Sequence, residues 1–280
     1  MTYRTILVHC DAGKAAPARL ELAATLAERH KAHLVGLHAR PPFEPVIDGS
    51  GAFAMDALFT SHEAALAESE SVSAKAFAAA VKGKTLTSEW RSANGHADAL
   101  LTVHARYADL TIVGQDDPEP SSGLPVPPNL AESVAFGVGR AVLVVPFIGA
   151  PKSVGHNILL CWNASREAAR AASEAMPLLQ AAETVTVLII DPRTSAAGHG
   201  GEPGADVALW LSRHGVKVAV QRDVAADADV GGVILSRAMD HGSDLIVMGI
   251  YGHSRLRELV LGGASRTLLT GMTVPVLMAH

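Results

Sequence analysis

The chain has only two cysteines in 280 residues, few aromatics and no excess of positive charge. Cys10 and Cys161 are too few for a disulfide framework or a four-thiolate zinc site. Aromatics make up 4% of residues and the formal net charge is −5. Those values remove both the stacking platform and the basic field that a nucleic-acid binder uses. No apolar run approaches the roughly 20 residues of a membrane-spanning helix. Met1-Thr-Tyr-Arg4 runs straight into a strand-like segment, without the apolar region of a signal peptide. A cytoplasmic protein with no membrane and no nucleic-acid partner is expected. What the chain does have is a 49% hydrophobic share against 18% charged residues, enough to bury a substantial core.

The sequence repeats itself. Tyr3-Arg-Thr-Ile-Leu-Val-His-Cys-Asp11 matches Gly155-His-Asn-Ile-Leu-Leu-Cys-Trp-Asn163. Leu34 to Ala39 matches Val185 to Ile190, Ala108 to Gly114 matches Ser243 to Gly249, and Ala141 to Val145 matches Pro275 to Ala279. The order of the matched pieces never changes, which marks a duplication. Each half alternates short β-branched runs with Ala- and Leu-rich stretches of helical period. Helices are expected over Ala16 to His30, Ser61 to Val81 and Arg166 to Ala182, the last capped by Ser165. Units this short imply right-handed crossovers and a parallel sheet covered on both faces. The expected fold is therefore α/β: two tandem Rossmann-like domains, residues 1–150 and 151–280, each with five parallel strands. Pro and Gly near Gly149-Ala-Pro-Lys-Ser153 mark the boundary. Val274 to Met278 is apolar, and at a sheet edge it would pair with another edge.

The segment after the apolar run Leu245-Ile-Val-Met248 carries the chemistry. Gly249-Ile-Tyr-Gly252 is followed nine residues later by Gly262-Gly263-Ala264-Ser265, and Arg266 to Leu269 then starts a helix. Glycines at a strand end allow a tight turn and close backbone approach. Free N–H groups at a helix start suit a phosphate, and Ser265 adds a hydroxyl. Ligands of open parallel sheets sit beyond the strands' carboxyl ends, where strand order reverses. The loop Trp162-Asn163-Ala164-Ser165 should meet the glycine loop there, with Asn163 able to both donate and accept.

Gly249-x-x-Gly252, nine residues and then Gly262, together with Tyr251 to Glu258 and Trp162 to Ala169, resembles the universal stress protein family in its tandem form. The likeness covers essentially the whole chain, once per half. It implies adenine nucleotide binding, dimer-like pairing of domains and a role in stress survival. By that pattern Asn163 and Ala164 meet the adenosine portion, and Ile190 and Met248 border the adenine pocket. Gly249, Gly252, Gly262, Gly263, Ala264 and Ser265 would hold ribose and phosphates. The chain departs from the family in three places. Asn163 stands where Asp is usual, and Gly263 where a Ser or Thr is usual. In the first half, Asp117 occupies the place of Gly252, and Pro128 and Asn129 the places of Gly262 and Gly263. Proline offers a phosphate no N–H, so one working site is expected, in the second half.

Other motifs fail. There is no GxxxxGK[ST], Gly137-Val-Gly139 lacks a third glycine, and His62-Glu63 lacks a zinc-protease histidine. His253 reads as a solvent-facing loop residue, Arg255 and Arg257 as a solvated helix face, and both cysteines as buried structural thiols. The expected function is a sensor or regulator binding ATP, or AMP or ADP, with Mg²⁺ as a companion ion. The competing readings are a nucleotide-free dimeric scaffold with a decayed site, and a slow ATP hydrolase. Against the latter, the loop supplies no general base and no dedicated metal carboxylate.

Overall fold

The computed structural model describes residues 2–44, 55–117, 124, 126–192, 201–226, 228–250 and 263–280. The first half runs β1 (Thr5–Cys10), α1 (Ala16–His30), β2 (His33–Arg40), α2 (Met55–Val81), β3 (Thr87–Asn94), α3 (Ala97–Ala105), β4 (Leu110–Gly114), α4 (Leu130–Val138) and β5 (Ala141–Val145). The second runs β6 (Asn157–Cys161), α5 (Arg166–Glu174), α6 (Met176–Ala181), β7 (Thr184–Ile190), α7 (Ala205–Arg213), β8 (Val218–Asp223), α8 (Val230–Asp240), β9 (Leu245–Gly249), α9 (Gly263–Gly271) and β10 (Val276–Ala279).

The strands form one sheet in the order β3-β2-β1-β4-β5-β10-β9-β6-β7-β8. Neighbours are parallel within each half, as the alternating pattern requires. At the centre β5 and β10 pair antiparallel, with Leu143 opposite Leu277. β10, the outermost strand of the second half's own five, thus pairs with β5, the outermost of the first half's, as an apolar edge strand over Val274 to Met278 requires. The two outer strands are the polar ones. β3 reads Thr-Ser-Glu-Trp-Arg-Ser-Ala-Asn and β8 reads Val-Ala-Val-Gln-Arg-Asp, and such charges discourage edge-to-edge pairing. The inner strands are apolar because helices cover both their faces. Buried residues of α1, α2, α5, α6 and α7 pack on one face, and those of α3, α4, α8 and α9 on the other.

α1 matches its expected span. Its first turn holds Pro17, where a missing N–H is harmless, and its C-cap, Lys31, sits at φ 53°. α2 starts at Met55, ahead of the expected Ser61. The single helix expected over Arg166 to Ala182 is two, α5 and α6, meeting at Ala175. Pro177 accounts for the break, since its ring cannot donate to the Ser173 carbonyl and would clash with it. Ser165 caps α5 as expected, its Oγ accepting from the Ala168 N–H at 3.1 Å.

Candidate functional site

In the second half the sequence-first strand β6 lies between β7 and β9, so the chain winds away from it in opposite directions. The crevice at the carboxyl ends of β6 and β9 is the switch point at which such sheets take ligands. A cavity of about 310 Å³ opens there, lined by Asn163, Ile190, Met248, Gly249, Gly263, Ala264 and Ser265 with Trp162, Asp229 and Val230. Ala164 is absent from this lining. It turns the backbone instead, at φ 58°. Gly252 and Gly262 lie outside the described residues, as do Arg255, Arg257 and His253.

Each polar group of the cavity is set by its local turn. Asn163 Oδ1 accepts from the Ser165 N–H at 3.1 Å. The side-chain oxygen is thus committed to the turn, and the amide NH₂ remains as the donor. The first-turn N–H groups of α9, on Gly263, Ala264 and Ser265, have no acceptor within their own helix. Leu188, Ile190, Ile234 and Met248 supply the apolar walls. Gly249 has a reason that the strand-end motif did not reveal. A Cβ there would sit 2.5 Å from the Ala168 nitrogen and the Glu167 carbonyl carbon. Its lack of a side chain therefore lets the start of α5 pack against the end of β9.

Asp229 is the one carboxylate lining the cavity among the described residues. Its Oδ2 caps α8 by accepting from the Gly232 N–H at 3.1 Å, and Oδ1 lies 4.0 Å from where a Gly263 Cβ would stand. Sequence reasoning missed it, although an Asp immediately before a helical segment is a cap signal. Cys161 also lines the cavity. Burial pushes its thiol up to about 12, so it carries no thiolate at neutral pH. The arrangement is an apolar slot with hydrogen-bond donors at two corners, suited to a flat group bearing an anionic tail.

The first half departs from this plan. Asp11 forms the same kind of turn, with Oδ1 accepting from the Gly13 N–H at 2.8 Å. Its other oxygen is taken by the buried Arg19, whose Nε donates to the His9 carbonyl at 3.2 Å. Burial alone would raise the Asp11 pKa, but Arg19, His9 and the Gly13 N–H outweigh it and hold the carboxyl below its usual value. Asp11 is therefore locked into an internal ion pair. Arg19 was not singled out from the sequence, because only the fold brings it under β1. Two cavities adjoin this corner, of about 210 Å³ and 500 Å³, and Asp11, Leu124, Val126 and Pro128 line both. The prolines are where a phosphate loop would need N–H donors.

The model of the universal stress protein family matches residues 2–135 and again 155–280. Two solved structures share the fold over nearly the whole chain. One is a universal stress protein from Archaeoglobus fulgidus DSM 4304, with a TM-score of 0.68 and 15% identity over 98% of this chain and 95% of that one. Another is a functionally unknown protein from Pseudomonas aeruginosa PAO1, with a TM-score of 0.60 and 14% identity over 99% and 92%. No curated protein matches the chain. Among the described residues no helix is long and apolar enough to cross a membrane. With the family's domain matched in each half, the chain belongs to the universal stress protein family.

Proposed function

We propose that the second half, residues 151–280, binds an adenine nucleotide, ATP foremost, and that the protein acts as a cytoplasmic sensor or regulator of stress responses. The first half, residues 1–150, serves as its structural partner. The observation that carries this reading is the switch-point cavity. Asn163, Ile190, Met248 and Gly249 border it from the strand ends, and Gly263, Ala264 and Ser265 from the start of α9. The apolar walls suit a base, the Asn163 NH₂ suits a ring nitrogen or ribose oxygen, and the α9 amides suit phosphates. Gly252 and Gly262 complete the phosphate loop in this proposal.

Hydrogen bonds to charged groups contribute roughly 1.5–3 kcal/mol each. Three or four such donors support micromolar affinity once ordering costs are subtracted. The titratable groups among the cavity's described lining are Asp229 and Cys161, and Asp229 is engaged as a cap. The proposal is therefore of binding rather than turnover.

Thermal melting with and without ATP tests it. Ligand at a hundredfold excess over its dissociation constant stabilises the fold by about 2.7 kcal/mol. A rise in Tm that disappears in Gly262→Pro is expected. Equal shifts in both proteins would remove the loop from the site.

A further inference from the structure

Gln115 follows the last residue of β4, and its side chain reaches from the first half into the second. Its Nε2 donates to the carbonyls of Leu269 at 2.7 Å and Thr270 at 3.2 Å. Both carbonyls lie in the last turn of α9, where they have no partner within the helix. Its Oε1 accepts from the Phe147 N–H at 3.1 Å. These partners fix which end of the amide is which, because a carbonyl only accepts and a backbone N–H only donates. The main chain of Gln115 is anchored as well, its N–H donating to the Val145 carbonyl at 2.8 Å. The side chain is therefore rooted beside the end of β5 and holds the end of α9.

The duplication shows that the strand end does not itself need this amide. Gly114 is the counterpart of Gly249, so Ile250 is the counterpart of Gln115, as Ala279 is of Val145. The Ile250 N–H donates to the Ala279 carbonyl at 2.9 Å, which repeats the main-chain bond. Its side chain is fully buried and has nothing to donate. The helix that Gln115 holds is the one whose first turn borders the second-half cavity, through Gly263, Ala264 and Ser265. α9 has nine residues, a rod of about 13 Å, so a tilt or slide at its last turn reappears at its first. α8 packs closely against it, an added Cβ on Gly231 standing 2.8 Å from the Ala264 carbonyl oxygen. Packed helices still slide past one another, whereas groups that hold a ligand must be placed within about 0.5 Å. Hydrogen bonds to the end of the helix remove that freedom.

We propose that Gln115 is a positioning residue for the second-half site: through it the first half sets where the α9 amides stand, and hence the affinity for phosphate. This role rests on α9 being the phosphate end of a nucleotide site, as proposed above. It gives the first half a part in binding that leaves the base pocket alone.

Calorimetric titration of the full chain with ATP and with adenosine separates the two ends of the site, since the ligands differ only in the phosphates. Gln115→Met keeps the length of the side chain and removes the amide. Gln115→Glu keeps its shape and its acceptor but removes the donor. In each variant affinity for ATP should fall about tenfold, the worth of one hydrogen bond to a charged group, with affinity for adenosine unchanged. A general loosening of the seam would instead weaken both ligands together. Gln115 is half-buried, and if Gln115→Met does not fold, Gln115→Glu carries the comparison alone. Adenosine too weak to titrate would mean that phosphate contacts carry the binding. A tenfold fall for ATP at an unchanged ligand-free Tm then supports the role. Equal losses for ATP and adenosine, or an unchanged ATP affinity, would overturn the role of Gln115 and leave the nucleotide site standing. An unaltered chain that binds neither ligand would overturn the site itself, and the positioning role with it.

Discussion

Asp229 divides its carboxylate between two tasks, with one oxygen closing the start of α8 and the other near Gly263. A nucleotide arriving without a metal would bring phosphate charge towards that second oxygen. Mg²⁺ between them would reverse the sign of the contact, and this ion is commonly held by one or two carboxylates together with substrate phosphates. Asparagine caps a helix about as well as aspartate, so Asp229→Asn isolates the charge. Metal-free ATP should bind about tenfold more tightly to the variant, and the benefit of added Mg²⁺ should vanish. Calorimetric titration with and without a chelator reads both, and an unchanged Mg²⁺ dependence would exclude Asp229 from the phosphate corner. His9 gives a second residue-scale expectation. Burial drives its pKa down to about 4, with Arg19 adding to that and Asp11 opposing it. An unfolded histidine titrates near 6.5. Between those values the unfolded chain binds a proton that the folded one refuses, so stability falls as pH drops from about 6.5 to 4. The full effect is about 3 kcal/mol. Urea midpoints measured across that range should show a shallower loss in His9→Asn, and an identical slope would dismiss His9 as the cause.

At the scale of elements, the two matched strand ends, Gly114 and Gly249, are glycine for different local reasons. An added Cβ at Gly249 meets α5 backbone at 2.5 Å, whereas at Gly114 it meets the Arg19 guanidinium. A backbone cannot swing aside, while the end of a long side chain can. Gly249→Ala is expected to cost about 3 kcal/mol and to disturb the turn that holds Asn163. Gly114→Ala should cost less, about 2 kcal/mol, because the Arg19 guanidinium can shift but must keep its contacts with Asp11 and the His9 carbonyl. Equal shifts in urea midpoint would undo this account of β9 and α5. The pair also shows what could be read in the sequence. The duplication, the strand runs, the span of α1 and the Ser165 cap were all legible, because periodicity and capping are local signals. So was the meeting of the Asn163 loop with the end of β9, since the ends of parallel strands share one rim, while Ile190 and Met248 were implied only by the family resemblance. The break at Pro177 was present in the sequence and outweighed by the helical period around it. Neither Arg19 beneath Asp11 nor Asp229 beside Gly263 could be placed. Each owes its position to a neighbour distant in sequence, and composition and spacing do not encode such meetings.

At the scale of the molecule, β5 and β10 join the two halves into one sheet. Both strands are apolar and almost fully buried, so neither half can keep its core dry alone. Gln115 strengthens the join, its Nε2 donating to the Leu269 carbonyl at 2.7 Å and its Oε1 accepting from the Phe147 N–H at 3.1 Å. A seam of this kind couples the halves energetically, so heat should unfold the chain in one transition. Nucleotide bound only in the second half should then raise the melting temperature of the first as well. Calorimetry tests the coupling, and two resolved transitions, only one of them moving with ATP, would refute it. Residues 1–150 expressed alone should expose the edge of β5, a short apolar strand without blocking charges, and such an edge pairs readily with its own copy. Sedimentation of that fragment should report a dimer. A fragment that sediments as a stable monomer would mean that β5 needs no partner strand, and the halves would then be neighbours rather than one cooperative sheet.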